Sequence, residues 1–468
     1  MSASAPPREA IAARLRGGEL TSAALTKAYL DRIERLDGAV HSYVTVTGES
    51  ALARAQAADE AFTRGGPIGP LHGLPIAVKD NIDTAGVRTT AGSRFFERHV
   101  PDRSATVVER LLAAGAVVLG KTTLHEFAYG ATTQNPHYGC CRNPWDLRRI
   151  PGGSSGGSGA ALGADLCAAA LGTDTGGSVR IPAALNGATG LRPTSGRVSA
   201  HGVFPVSWTL DTVGPMARSA LDVADVFEAI AGYDAADPGS VAAPPSPSEA
   251  GDGLRGVTVG VPRSFFFDDL DPEVGSAVRA GADTLSALGA IVEEVELAGA
   301  ANAIGIATQM IWAEAFAVHR QRLDEDPERF GEDVRRRLDS GRSVSGADYA
   351  LLRQEARVWA RTVTELLSRV DLVLTPVTAI VAPFAEGAEM IETTRQLTRF
   401  TYGWSLAGVP ALALPCGFST DGMPIGMQVA AAPWRDRMLL DVGAAFQETT
   451  DWHTREPSLE AIVSAGGG

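Results

Sequence analysis

The sequence predicts an α/β fold, an α/β/α sandwich with a large mixed, mainly parallel twisted sheet covered by helices. Apolar runs at residues 74–78 and 116–119 are typical of buried strands, and a helical apolar pattern at residues 105–114 lies between them. This strand–helix–strand alternation favours such a sheet. With 45% hydrophobic and 21% charged residues, the 468-residue chain has a globular composition and can bury a large core. We therefore treat residues 1–468 as a single domain.

The N-terminal segment predicts two amphipathic helices at residues 8–36, broken at Gly17-Gly18. Apolar residues recur every three or four positions from Leu25 to Leu36, so these helices are expected to dock on the core. The helical pattern at residues 105–114 stops at a glycine, a frequent helix terminator.

The second half of the chain begins after a segment rich in proline, glycine and serine at residues 233–253, which predicts a linker or long loop. A helical, charged stretch then occupies much of a variable substrate-side region at 300–400. Residues 371–375 predict a strand, and residues 409–430 carry two more apolar runs.

The charge balance argues against an anionic partner. Lys and Arg number 41 against 55 Asp and Glu, which gives a net charge of −14. Proteins that bind nucleic acid through phosphates usually carry a basic stripe, whereas the basic residues here lie among acidic ones, as at residues 328–337. We therefore expect no nucleic-acid partner.

Cysteines and apolar segments indicate the compartment. The four cysteines form no C-x-x-C pair, so neither a zinc ribbon nor a dithiol site is expected; they are Cys140, Cys141, Cys167 and Cys416. The first residues lack the apolar segment of a secretory signal, and no stretch of 18 apolar residues could span a membrane. We expect a cytoplasmic protein with free thiols, no membrane contact, no metal and no cofactor.

Glycine is the unusual component, with 52 residues. They concentrate at 152–202, inside a core motif region at 70–220, where two glycine-rich loops at 151–163 and 172–182 carry serines. A flexible linker is a poor explanation, because the first loop runs directly into a small-residue helix and then a buried strand.

Two familiar glycine motifs also fit poorly. Residues 115–122 match the spacing of a phosphate-binding loop, but the residues between its glycines are apolar, and their N–H groups are needed in a sheet. Residues 153–157 match G-x-S-x-G with Ser155 at the centre. No bulky apolar strand precedes this motif, and no later histidine lies in a loop with a catalytic signature.

A serine nucleophile with a base other than histidine remains. Lys79 follows the apolar strand at 74–78, and desolvation at a sheet edge would lower its pKa and let the neutral amine accept a proton. By position alone, a lysine at a strand end is usually a surface residue whose side chain extends into solvent.

Nine sequence blocks resemble the amidase signature enzymes, and the resemblance spans residues 20–450. The glycine–serine block is the most specific, and the spacing of the lysine and the two serines agrees with the family. The blocks are residues 73–82, 120–128, 142–146, 151–158, 172–183, 190–199, 211–218, 407–411 and 421–428.

The resemblance implies the amidase signature fold and a Ser–cis-Ser–Lys triad. Ser178 would be the nucleophile, Ser154 the bridging serine with a cis peptide bond to Gly153, and Lys79 the base. The implied oxyanion hole consists of backbone N–H groups of Thr175, Gly176, Gly177 and Ser178. The implied acyl side of the pocket consists of Ala128 and Tyr129. The side chains expected to hold the loops are Ser155, Thr173, Asp174 and Arg180. Further aromatic candidates are Trp312, Tyr402 and Trp404.

The reaction implied is hydrolysis of an amide-type carbon–nitrogen bond through a seryl acyl-enzyme. We expect a free-standing amidase for a small aryl or alkyl amide, with a carbamate (urethane) or ureide also considered. Its partners would be that small-molecule substrate and a second copy of the chain, with which it would form a homodimer. The alternative is the glutaminase subunit of a tRNA-dependent amidotransferase. Against this alternative, residues 300–400 do not resemble the glutamine-binding segment of that subunit. A non-catalytic assembly protein is a third interpretation, which the intact set Lys79, Ser154 and Ser178 disfavours.

Overall fold

A computed structural model describes residues 11–66, 68–244, 254–387 and 389–458. Within these ranges, eleven strands form one sheet, and β4 and β5 form a separate small hairpin. The strands are β1 (Tyr43–Val46), β2 (Pro75–Lys79), β3 (Val117–Thr122), β4 (Gln134–Asn135), β5 (Gly139–Cys140), β6 (Ala169–Asp174), β7 (Thr189–Arg192), β8 (Thr212–Ala217), β9 (Thr258–Pro262), β10 (Ile291–Val295), β11 (Leu372–Pro376), β12 (Ala411–Phe418) and β13 (Pro424–Ala431).

The large sheet has the order β1-β3-β2-β6-β8-β7-β12-β13-β11-β9-β10. It is mixed, which confirms the predicted α/β fold class. Parallel pairing occurs in two patches, between β2 and its neighbours β3 and β6 and between β9 and its neighbours β10 and β11. The remaining described pairings are antiparallel and outnumber the parallel ones, which corrects the expectation of a mainly parallel sheet. The hairpin of β12 and β13 illustrates the reason, because a parallel pair needs a crossover of roughly a dozen residues or more.

Helices pack on this sheet. Both α5 and α7 contact β6 and β8, whereas α6 and α14 contact β12 and β13. The helices are α1 (Ile11–Arg16), α2 (Ser22–Val40), α3 (Gly48–Thr63), α4 (Thr106–Ala113), α5 (Gly156–Gly163), α6 (Arg180–Leu185), α7 (Ala220–Ile230), α8 (Pro272–Ala287), α9 (Ala300–Glu325), α10 (Glu332–Ser340), α11 (Gly346–Leu366), α12 (Met390–Thr398), α13 (Tyr402–Ala407) and α14 (Asp436–Thr449).

Two apolar clusters form the core of the described chain. The larger one follows the sheet, where β2, β6, β8, β11 and β13 are buried at every position. The second lies beneath α9, α10 and α11 and includes Phe127, Ala128 and Tyr129. The helical region formed by α9, α10 and α11 therefore packs directly against the loop that follows β3.

The predicted segments differ from the observed elements mainly at their ends. In the N-terminal segment predicted as helices at 8–36, α1 and α2 are separated by a turn at Gly17-Gly18, and α2 extends to Val40; residues 8–10 lie outside the described residues. Within the predicted loop at 233–253, residues 233–244 contain no helix or strand, and the rest lies outside the described part. None of the helices in the described ranges is long and apolar enough to cross a membrane.

Candidate active site

The site lies where the carboxyl ends of the parallel strands β2, β3 and β6 meet, a usual place for ligands in α/β sheets. Lys79 is the last residue of β2 and is fully buried. Its Nζ lies 2.7 Å from the Ser154 Oγ and 2.7 Å from the Thr173 Oγ1 at the end of β6. The lysine is therefore a buried group between two loops, and no longer a candidate for an exposed surface residue.

Burial changes the acidity of this lysine. Desolvation lowers the pKa of Lys79 to about 7, against the opposing attraction of Asp211 and Asp174. Near neutral pH a large share of the amine is therefore uncharged and has a free lone pair. A buried amine of this kind, in contact with a serine hydroxyl, can accept a proton from it.

The first glycine–serine loop brings Ser154 to the lysine. The Gly153–Ser154 peptide bond is cis. The Thr133 hydroxyl donates to the Gly152 carbonyl at 2.8 Å, and the His125 N–H donates to the Ser154 carbonyl at 3.2 Å. These contacts fix the loop on the segment that follows β3.

The three candidate serines differ in exposure. Ser154 and Ser155 are fully buried, whereas Ser178 is partly exposed and lines a pocket. The Ser155 hydroxyl exchanges hydrogen bonds of 3.2 Å with the backbone of Thr173, and the Ser155 N–H donates to the Ser178 carbonyl. Ser155 thus ties the two glycine-rich loops together, and Ser178 is the serine that a substrate can reach.

The second glycine–serine loop, between β6 and α6, is anchored by a buried ion cluster. The Asp174 carboxylate accepts hydrogen bonds from the Gly177 N–H at 2.8 Å and from the Arg180 guanidinium at 3.0 Å, and Arg192 lies 3.1 Å away. Although burial opposes the ionised form, the two guanidinium groups hold the pKa of Asp174 below its usual range. The Gly177 N–H is therefore already committed to a carboxylate, and its place in an oxyanion hole stays a prediction.

Removing this charge should destabilise the fold. We expect Asp174→Asn to lower the free energy of unfolding by about 3–5 kcal/mol, because it leaves two buried guanidinium groups without their anion. Denaturant unfolding measures the change. Glu294→Gln, in the exposed pair with Arg263, is the control, with an expected loss of about 0–1 kcal/mol. Equal losses in the two variants would contradict the anchoring role of the cluster.

The pocket opens beside Ser178. Both residues expected on the acyl side, Ala128 and Tyr129, line it, and the Tyr129 hydroxyl is buried with no hydrogen-bond partner among the described residues. The lining residues are Ala128, Tyr129, Gly130, Ala131, Thr175, Gly176, Ser178, Val206, Ile311, Arg337, Thr394, Thr398 and Tyr402.

Only one of the three aromatic candidates, Tyr402, lines this pocket. The Tyr402 ring lies so close to Gly176 that any side chain at Gly176 would collide with it. Trp404 is buried and stacks on Phe266, with ring centroids 5.7 Å apart. Trp312 is partly buried in α9 and is absent from the lining residues.

Arg337 is a pocket residue that sequence reasoning missed. It projects from α10 and donates hydrogen bonds of 3.0 Å to the Thr394 hydroxyl and the Met390 carbonyl. Its guanidinium carbon lies 6.0 Å from the centroid of the Tyr129 ring. The pocket therefore pairs a nucleophilic candidate with a cation that can bind an anionic group of a substrate.

A signal for Arg337 was present in the periodicity of α10. Val334 and Leu338 are buried on one face, and Arg337 lies on that face with them. Arg335 and Arg336 point outward and pair with glutamates. The three consecutive arginines at residues 335–337 differ only in their helical phase, and that phase distinguishes the inward Arg337.

Comparison with known proteins gives a consistent relationship. The family described as Amidase matches residues 24–440. The A subunit of the Glutamyl-tRNA(Gln) amidotransferase from Chromohalobacter salexigens is 42% identical, over 96% of this chain and 97% of its own. One solved structure is described as a vestigial protein complex that reveals the evolutionary origins of an s-triazine catabolic enzyme. Its matching chain is 37% identical to this chain, with a TM-score of 0.89. The match covers 94% of this chain and 97% of that chain. The corresponding A subunit from Thermotoga maritima is 34% identical with a TM-score of 0.79, and 92% of each chain is covered.

These relatives correct two expectations. The interpretation as a free-standing amidase is wrong, because the similar curated proteins are named as subunits of an amidotransferase. The expectation that the partners are a small molecule and at most a second copy, without nucleic acid, is wrong for the same reason. None of these relatives supports the expectation that the substrate is a carbamate (urethane). The resemblance itself is confirmed: this chain belongs to the amidase signature family, whose general activity is hydrolysis of carbon–nitrogen bonds.

Proposed function

We propose that this chain is the amidase subunit of a tRNA-dependent amidotransferase and that it releases ammonia from the side-chain amide of glutamine. The observation that carries the proposal is the similarity, over nearly the full length of both chains, to proteins named as the A subunit of Glutamyl-tRNA(Gln) amidotransferase. A cytoplasmic location belongs to this proposal.

The proposed chemistry starts at the buried lysine. Neutral Lys79 takes a proton from Ser154, which takes one from Ser178, and the Ser178 Oγ attacks the side-chain amide carbon of glutamine. The 2.7 Å contact between the Lys79 Nζ and the Ser154 Oγ supports the first step. The relay then runs backwards: the carbon–nitrogen bond breaks and the nitrogen leaves as ammonia with the returned proton. Water hydrolyses the resulting ester to glutamate and restores Ser178.

The negative oxygen of the tetrahedral intermediate would form beside the backbone of Thr175 and Gly176, which line the pocket next to Ser178. The Thr401 hydroxyl donates to the Gly176 carbonyl at 2.5 Å, and this hydrogen bond helps to hold the peptide in place. Backbone donors that are already fixed stabilise such an oxyanion because they need no reorganisation during the reaction.

The pocket also supports a substrate that carries a carboxylate. Arg337 is largely buried, lines the pocket with Ser178, and presents a planar guanidinium that suits a carboxylate. The unpartnered Tyr129 hydroxyl offers a further donor on the same wall. Glutamine has both required groups, a primary amide for Ser178 and a carboxylate for Arg337.

Arg337→Gln tests this assignment. We expect KM for glutamine to rise by about 10- to 100-fold with a smaller change in kcat, because a charge-assisted contact to the carboxylate is lost in both ground and transition states. Released ammonia is measured for glutamine and for butanamide, which lacks the carboxylate. Arg336→Gln, on the exposed face of the same helix, is the control. An equal loss for both amides would contradict carboxylate recognition.

The proposed place in a larger complex is tested by reconstitution. The purified chain is assayed for ammonia release from glutamine, alone and with the other amidotransferase subunits from the same source and glutamyl-tRNA(Gln). The proposal expects ammonia release to be raised by the assembled complex and coupled to formation of glutaminyl-tRNA(Gln). Turnover of other amides without any turnover of glutamine under either condition would contradict it.

A further inference from the structure

Two adjacent residues after β3, His125 and Glu126, contact the helix that carries Arg337. Both are fully buried and follow a strand of the large sheet, whereas α10 lies in the helical region of the second half of the chain. The Glu126 carboxylate accepts the Gly331 N–H at 2.7 Å, immediately before α10 begins. A carboxylate at this place satisfies a free N–H group and interacts favourably with the helix dipole.

The second contact reaches the first turn of α10. The His125 Nε2 lies 2.8 Å from the Asp333 Oδ2, and the Asp333 carboxylate is almost completely buried. On the other side of the ring, the His125 Nδ1 lies 3.2 Å from the Thr132 hydroxyl. Both ring nitrogens therefore have partners, so the orientation of the imidazole is fixed.

Asp333 connects this histidine to the pocket. Asp333 and Arg337 are four residues apart on α10, and the Arg337 Nε lies 3.7 Å from the Asp333 Oδ2. The same oxygen thus faces the imidazole on one side and the guanidinium on the other. The backbone N–H of His125 also donates to the Ser154 carbonyl, so one residue contacts both the serine loop and the pocket helix.

We infer that His125 and Asp333 are a positioning pair that sets Arg337 in the pocket and thereby controls the affinity for carboxylate-bearing amides. This inference rests on the proposed role of Arg337 in binding the substrate's carboxylate. Neither residue of the pair is among those that line the pocket, so the pair acts through Arg337 and not by contact with substrate.

The His125→Leu variant tests the pair by removing the imidazole that contacts Asp333. We expect KM for glutamine to rise about tenfold, kcat to change less than about threefold, and turnover of butanamide to stay the same. His125→Gln, whose amide nitrogen can take the place of Nε2, should restore most of the affinity. His319→Leu is the matched control, because His319 is also buried and packs on Phe127, with ring centroids 4.2 Å apart. A folded His125→Leu variant with unchanged KM, or an equal loss for both amides, would overturn the inference.

The Asp333→Asn variant changes the other member of the pair, which lies on α10. It also provides a test if the His125→Leu variant does not fold. Calorimetric binding of glutarate supplies a readout that does not depend on turnover, and we expect about tenfold weaker binding in Asp333→Asn than in the unmodified protein. Unchanged glutarate binding would overturn the pair. Because this assay needs no hydrolysis of glutamine, a wild-type protein inactive on glutamine both alone and in the assembled complex would contradict the proposed function, while the glutarate result still decides the pair.

Discussion

The Ser178→Ala variant is expected to lose amide hydrolysis almost completely, by about 10⁴- to 10⁶-fold in kcat, without loss of folding. The physical reason is that the acyl group has no oxygen to bind once the hydroxyl is removed. Ser178 is partly exposed in the pocket, so its replacement leaves the buried Asp174 cluster intact. Released ammonia or amine measures the effect, and thermal unfolding verifies the fold.

Ser155→Ala is the control for this experiment, because Ser155 is the serine that the G-x-S-x-G pattern would select. It is fully buried and its hydroxyl bonds the backbone of Thr173, so we expect some loss of stability but at most about a tenfold loss of kcat in the folded protein. Persistent turnover in Ser178→Ala, or complete loss confined to Ser155→Ala, would contradict the assignment.

The second large effect is expected for Lys79→Met, with a loss of about 10²- to 10⁴-fold in kcat. Methionine has a similar length and suits the buried site, but it offers no lone pair to the Ser154 hydroxyl 2.7 Å away. The pH profile supplies the specific readout. Because desolvation brings the pKa of Lys79 to about 7, kcat/KM should rise as pH increases through about 7 and the amine becomes neutral. That rise should be missing from the residual activity of Lys79→Met.

Lys121→Met is the matched control for the lysine. Lys121 is equally buried on the neighbouring strand, and its Nζ lies 3.7 Å from an Asp80 oxygen. We expect this variant to be less stable, because Asp80 loses its cation, but to keep the rise in kcat/KM near pH 7. A wild-type profile that is flat between pH 6 and 8, or the same profile in Lys79→Met, would contradict the role of Lys79 as base.

Local features of the site could be predicted because they follow from short sequence patterns. An apolar strand that ends in lysine delivers that lysine to the carboxyl end of a buried sheet, and β2 does so with Lys79. Glycines mark loops that approach other groups closely, as Gly176 does under the Tyr402 ring. Such constraints act within a few residues and are therefore legible in the sequence.

Features that depend on distant segments could not be predicted in the same way. The helical period places Arg337 on the inward face of α10, but its place in the pocket depends on residues 125–126, which contact α10 from more than 200 positions earlier in the chain. No local pattern reports such a contact. The balance of parallel and antiparallel pairs depends on which strands meet across the sheet, as β7 and β12 do. The apolar runs alone predicted strands but not their neighbours.

The error about partners has a different origin. A net charge of −14 describes the whole chain and by itself predicts no nucleic-acid partner. One member of a complex can take part in a reaction on tRNA while another member supplies the basic surface, so the total charge of one chain does not decide the question. The similarity of nearly the whole chain to proteins named as amidotransferase subunits indicates partner subunits, which composition alone could not indicate.

The most direct test of the account is identification of the serine that reacts covalently. The protein is treated with an aryl phosphonofluoridate, digested and analysed by mass spectrometry. We expect one adduct, on the peptide that contains Ser178, with no labelling in Ser178→Ala and much slower labelling in Lys79→Met. An adduct on Ser154 or Ser155, or undiminished labelling in Ser178→Ala, would contradict the proposed Ser178–Ser154–Lys79 relay.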